Sequence, residues 1–247
     1  MLRGLMLLSL VAGLGPLLLS GVAADTSTVA PRPYDAEYHA RSHGMTSTAT
    51  RSLSLNGDTL YQLEQGLSVS VLGATLISIR ETSQFHWQDN HAIPAEYRYR
   101  QRGFGGRREH LGFDWDQNTV VYTRDGREQT VDLNGNVLDP LGFSVQMSLD
   151  VKLAMQEDNG RTEFEYDIAD GNRIVSHLYR ITGKDTFSTD AGELDTIRLE
   201  RVRDPDSPRT TVIWLARDFD YVLARLEQVS SSGARTELQL INISWQD

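Results

Sequence analysis

The chain has 247 residues, 34 acidic and 24 basic side chains, a formal net charge of −10 and no cysteine. The missing thiols exclude a disulfide framework, cysteine-based metal sites, thiol catalysis and a lipid anchor on cysteine. The acidic balance works against nucleic acid and against general adsorption on anionic lipid.

The N-terminus begins with the positive stretch Met1-Leu2-Arg3. An uncharged apolar run from Leu5 to Ser20 follows, then the small residues Val22-Ala23-Ala24 and polar Asp25. This order reads as a signal peptide over residues 1–24, with cleavage expected after Ala24 and the bacterial periplasm as destination. A membrane anchor fits less well. Gly13, Gly15 and Pro16 interrupt the run, it falls short of the ~20 apolar residues of a span, and no second long run follows. Residues 25–32 are expected as a disordered tail, and residues 33–247 as one β-rich domain, with a division into two sheets near 139–150 as the variant of that reading.

From Tyr34 onward the chain alternates. Tyr34, Ala36, Tyr38 and Ala40 share one strand face, as do Leu111, Phe113 and Trp115, and Phe164, Tyr166 and Ile168. Val212, Trp214 and Ala216 alternate with Ile213 and Leu215. Leu238 and Leu240 lie on one face and Ile241, Ile243 and Trp245 on the other, which predicts a bulge or two-sided burial. The run from Leu67 to Ile79 is more continuously apolar and reads as a doubly covered strand pair bent at Gly73. Asn56-Gly57, Asp125-Gly126, Asn134-Gly135, Asn159-Gly160, Asp170-Gly171 and Ser232-Gly233 stand between such segments. These dipeptides tolerate the positive φ of tight hairpins.

Asp139-Pro140 opens a segment with two periods. Asp at the N-cap and Pro at the first position favour a helix over 140–149, with Leu141, Val145 and Leu149 as its stripe. Phe143 to Met155 also alternates like a strand. The helix is therefore expected to stop near Leu149 and a strand to follow. The fold class expected is all-β, mainly antiparallel: a meander of hairpins forming a barrel or half-barrel, with one short helix near 140–149. Closure or a covering helix protects the sheet edges and leaves a concave face.

The sharpest local anomaly is Arg98 to Arg108, with five arginines and no acid. Guanidinium forks suit phosphate and carboxylate. Arg98, Arg100, Arg107 and Arg108, with the aromatics Trp115 and Trp214, are the candidate ligand-binding residues. The structural alternative is a solvated strand face for the arginines and core packing for the tryptophans. Arginine dominates the basic residues throughout, with only Lys152 and Lys184 as lysines. His86, Asp89 and His91 carry donors for zinc, but a loop rich in Asp and Asn reads first as a turn. His39 and His43 lie about 13 Å apart on a strand, too far for one metal. His110 and His177 stand alone. No G-x-S-x-G elbow, H-E-x-x-H pair or dinucleotide fingerprint occurs. No catalytic residue, metal site or cofactor is therefore expected.

Several motifs together resemble a known family. They are Tyr34 to Tyr38, Phe113-Asp114-Trp115, Asp139-Pro140-Leu141, Tyr166 to Gly171, Ala191 to Thr196, and Trp214-Leu215-Ala216 running toward Tyr221 and Arg225. Their order resembles the exported bacterial family named domain of unknown function 3108, over roughly Tyr34 to Trp245. The resemblance implies a periplasmic, strand-rich protein of uncharacterised activity and carries over no catalytic residue. One departure is Leu223-Ala224-Arg225, where Pro-Val-Arg is expected. The function expected is non-enzymatic binding of an apolar or amphiphilic envelope component on a concave β surface. An envelope-glycan hydrolase and a scaffold pairing through a strand edge are the alternatives. Partners expected are an envelope lipid, glycan or protein, not nucleic acid.

Overall fold

The computed structural model describes residues 29–246 apart from 43, 72–73, 158–159 and 191. The expected signal peptide, residues 25–28 of the expected tail, His43, the Gly73 bend and Asn159 lie outside the described residues. Val29 is tied to the fold: its N–H donates to Asn90 Oδ1 at 2.8 Å and its carbonyl accepts Trp87 Nε1–H at 3.0 Å.

A first meander comprises β1 (Tyr34–Ser42), β2 (Met45–Asn56), β3 (Leu60–Val71), β4 (Ala74–Gln88), β5 (His91–Gly103), β6 (Arg107–Asp114), β7 (Thr119–Arg124) and β8 (Arg127–Asp132). Short β9 (Val137–Leu138) and helix α1 (Phe143–Glu157) follow. A second meander comprises β10 (Glu163–Asp170), β11 (Arg173–Thr189), β12 (Gly192–Arg201), β13 (Thr210–Ala216), β14 (Val222–Val229) and β15 (Arg235–Trp245). Within each meander, neighbours in sequence pair antiparallel. β1 pairs with β15, which joins the two runs, and β9 adds parallel to β10. The result is one fifteen-stranded sheet whose end strands, β8 and β9, are not paired with each other, so the sheet stays open.

The period-2 pattern sets the buried face. Tyr34, Ala36, Tyr38 and Ala40 of β1 are buried and their neighbours exposed, and Phe164, Tyr166 and Ile168 repeat this in β10. At the β1–β15 junction Glu37 pairs with Asn242 and Tyr38 with Leu240, so Ile241 is the extra residue of a bulge. That bulge lets Leu240 and Trp245 face the same side despite opposite parity. A second register shift lies at the family departure: Trp214 pairs with Arg225 and Leu215 with Leu223, leaving fully buried Ala224 as the extra residue.

Two local expectations need correction. The helix does not stop near Leu149; it runs on through the residues expected as a strand to Glu157. Met147, Leu149, Val151 and Ala154 are all buried within it, because α1 is covered on several sides rather than along one stripe. Its polar residues Ser144, Gln146, Ser148, Asp150 and Lys152 fall at every second position, which reproduces strand-like alternation by accident. The Leu67–Ile79 run is not doubly covered either. Leu76 at the start of β4 is 48% exposed, since this hairpin end extends past the core.

Candidate functional site

The site is assembled around α1. Asp139, just after β9, is fully buried. Its Oδ1 accepts the N–H groups of Leu141 at 2.9 Å and Gly142 at 2.8 Å, and its Oδ2 accepts Ser83 Oγ–H at 2.7 Å. The carboxylate thereby supplies acceptors to the turn that leads into α1 and fastens that turn to β4. Burial pushes its pKa up, and the bonds from Gly142 and Ser83 oppose that. A Cβ on Gly142 would sit 2.4 Å from Asp139 Oδ2 and 2.8 Å from Ser83 Oγ, so no larger residue fits without movement.

Further polar contacts fix the helix. Gln146 Oε1 accepts Ala92 N–H at 2.8 Å, and its Nε2 donates to Asn90 O at 3.0 Å and to Asp150 Oδ1 at 2.9 Å. Asp150 Oδ2 accepts the Tyr166 hydroxyl at 3.0 Å, and Lys152 Nζ lies 2.5 Å from Asp220 Oδ1. Desolvation raises the Asp150 pKa, countered by Gln146 and Tyr166.

Between α1 and the sheet lies a cavity of about 280 Å³. Its apolar lining includes Leu53, Phe143, Leu149, Ile213, Leu226 and Leu238. Arg51, Gln65, Glu81 and Ser144 contribute polar groups from β2, β3, β4 and α1. Arg32 and Trp245 also line it, with the Arg32 guanidinium 4.3 Å from the Trp245 ring centroid.

Arg51 is only 6% exposed. Its Nε–H donates to Tyr34 Oη at 3.0 Å, one terminal nitrogen donates to Gln65 Oε1 at 3.1 Å, and the other donates to Ser144 Oγ. All three acceptors are neutral. Burial works against the guanidinium, yet the neighbouring Tyr34, Tyr38 and Glu81 raise its pKa overall. Glu81 accepts the Tyr97 hydroxyl at 2.9 Å. Burial raises the Glu81 pKa, the Tyr97 bond and Arg51 lower it, and Asp139 adds to the rise. The Tyr97 and Tyr38 hydroxyls are both pushed upward by desolvation.

The residues singled out from the sequence lie elsewhere. Arg98, Arg100 and Arg108 share one face of β5 and β6: Arg100 stands opposite Arg108, and Arg98 opposite His110. Arg80 of β4 joins them opposite Arg100. Arg98 pairs with Glu96 at 2.6 Å, the same carboxylate that His110 approaches at 2.6 Å. Arg102, then Arg108 and Arg80, lower the pKa of exposed Arg100 by like-charge repulsion. Arg107 belongs to the opposite face, over the Tyr99 ring at 4.5 Å and 3.3 Å from Glu109. Trp115 stacks on Phe113 and donates to Pro94 O at 2.7 Å. Trp214 donates to Asp185 Oδ2 at 2.7 Å and carries Arg225 over its ring. Neither tryptophan lines the cavity. Asp89 and Asn90, both at positive φ, form the β4–β5 turn between His86 and His91.

Sequence reasoning missed Arg51, Ser83 and Glu81. Arg51 did leave a signal. It sits between Ala49 and Leu53 on the buried side of β2, where alternation calls for an apolar residue.

A family described as "Protein of unknown function (DUF3108)" matches residues 33–239. Comparison with curated proteins finds no match. Among solved structures, the chain is similar to a beta-barrel-like protein of domain of unknown function DUF1849 from Brucella abortus. The TM-score is 0.57 at 12% identity, covering 89% of this chain and all of that one. A likeness at that identity concerns the fold alone.

Proposed function

The chain belongs to the DUF3108 family, and we propose that it is an exported, non-enzymatic periplasmic protein that holds an apolar or amphiphilic envelope molecule between α1 and the concave sheet. The observation that carries this reading is the mixed lining of the cavity: apolar side chains from α1, β2 and β13–β15 together with the polar groups of Arg51, Gln65 and Glu81 from β2, β3 and β4. Such a lining suits a ligand with both a chain and a head. Its size, near the lower end of the about 300–1,000 Å³ of ligand sites, suits one chain and not a bulky multi-chain lipid. Residues 1–24 supply the export signal this reading needs.

The cavity carboxylates are engaged, which favours binding over glycan hydrolysis. Glu81 holds Tyr97 and Asp220 holds Lys152. The open edge at β8 carries Arg127, Glu128 and Asp132, charges that discourage strand addition by a partner. Native mass spectrometry of protein purified without detergent tests the proposal. A bound small amphiphile, or uptake of one when offered, is the expected result. A protein that carries none and takes up none contradicts it.

A further inference from the structure

Arg51 is a buried cation that makes no direct ion pair among the described residues, Glu81 acting on it only through space. No carboxylate among the described residues lies within ion-pair distance of it, although Glu81 lines the same cavity. An isolated buried charge is expensive, so proteins pair it, neutralise it or use it. A guanidinium has five N–H donors. Here three of its N–H groups meet Tyr34, Gln65 and Ser144, which leaves two without an acceptor among the described residues. The neighbours sharpen the imbalance. Tyr34 Oη accepts from Arg51 and has its own proton to give, and the Gln65 amide has accepted through Oε1 and keeps its N–H groups. Ser144 already donates to Leu141 O at 2.6 Å. This end of the cavity therefore has a surplus of donors and one fixed positive charge.

We propose that Arg51 anchors the head of a single-chain anionic amphiphile, a long-chain carboxylate, whose chain lies along the apolar lining. The inference rests on the cavity reading above and adds the chemistry of the head group. A carboxylate accepts the two spare guanidinium N–H groups as a fork and neutralises the charge where water is scarce. Arg51 acts as a binding residue; Tyr34, Gln65 and Ser144 position it by occupying its other donors.

Competition for a neutral fluorescent probe separates the two layers of the claim. The full-length processed protein is loaded with N-phenyl-1-naphthylamine, then titrated with dodecanoate and separately with dodecanol. Dodecanoate is expected to displace the probe at a concentration at least about tenfold lower than dodecanol, as a charge-assisted bond requires. Arg51→Gln is expected to bind the probe normally and lose that preference. Arg51→Lys, which keeps the charge without the fork, is expected to retain part of it. Equal competition by acid and alcohol in the wild-type protein overturns the role of Arg51 and leaves the cavity reading standing. An unchanged preference in Arg51→Gln does the same. Failure of probe and both competitors to bind overturns both. Should Arg51→Gln not fold, the wild-type comparison and Arg51→Lys still decide.

Discussion

Two groups of arginines on this sheet face opposite physical situations. Arg80, Arg100, Arg102 and Arg108 stand together on exposed positions and make no ion pair among the described residues. Water and salt screen their repulsion, so gathering them costs little. Arg51 is alone, enclosed, and bonded only to neutral groups. A charge there is far more costly and correspondingly more selective in what it attracts. Density of charge in the sequence points to the outer group, whereas the cost of burial points to the inner residue.

Breaking the support beneath the inner site is expected to have the largest effect. Asp139→Ala strips acceptors from two buried N–H groups and from Ser83, and should lower unfolding free energy by about 3 kcal/mol in urea titration. A loss below about 1 kcal/mol would show that α1 is not held through this residue. Arg51→Met sharpens the comparison further. Removing a cation that makes no direct ion pair relieves its desolvation and offsets part of the lost hydrogen bonds, so stability should fall by no more than about 1 kcal/mol. A loss as large as that of Asp139→Ala would mean that Arg51 is chiefly structural.

Half-buried His177 lies between the two extremes. Burial, then Arg201 and Arg203, push its pKa down from 6.5 to about 4. The unfolded chain therefore binds the proton more readily than the folded one. The contribution of neutral His177 is complete above about pH 6.5 and is lost as pH falls toward about 4. His177→Gln should flatten the drop in urea midpoint between pH 7 and pH 5. Raised Glu81, Asp139 and Asp150 act in the other sense, giving stability that is lost as pH rises through their folded-state values. The smallest effect is expected outside. Replacing Arg80, Arg100, Arg102 and Arg108 together by Ser should leave the melting temperature unchanged in moderate salt and raise it slightly in low salt. A marked fall would show that these side chains hold the β4–β6 region together.

Much of the architecture was legible because it rests on local rules. Alternation placed the inward face of β1 and β10, and Asp125-Gly126, Asp170-Gly171 and Ser232-Gly233 marked real turns. The β4–β5 turn was legible from composition: Asp89-Asn90 adopts positive φ at both positions without a glycine, in a stretch whose Asp and Asn read first as a turn. The far end of α1 was misread because a helix covered on several sides loses the one-sided stripe that identifies it. A concave face under a helix was expected, but the residues that line the cavity were not legible. The cavity depends on β2, β3 and β4 meeting α1 and β13–β15, contacts separated by much of the chain. Only Arg51, a charge inside the apolar alternation of β2, pointed toward it.

The most direct measurement is a crystal structure of the protein soaked with a terminally brominated long-chain carboxylate, read through the anomalous signal of bromine. The signal is predicted inside the cavity beside Leu149, Ile213 and Leu226, with the carboxylate at Arg51. Bromine found only on the outer face near Arg100 and Arg108, or nowhere on the protein, would contradict the account.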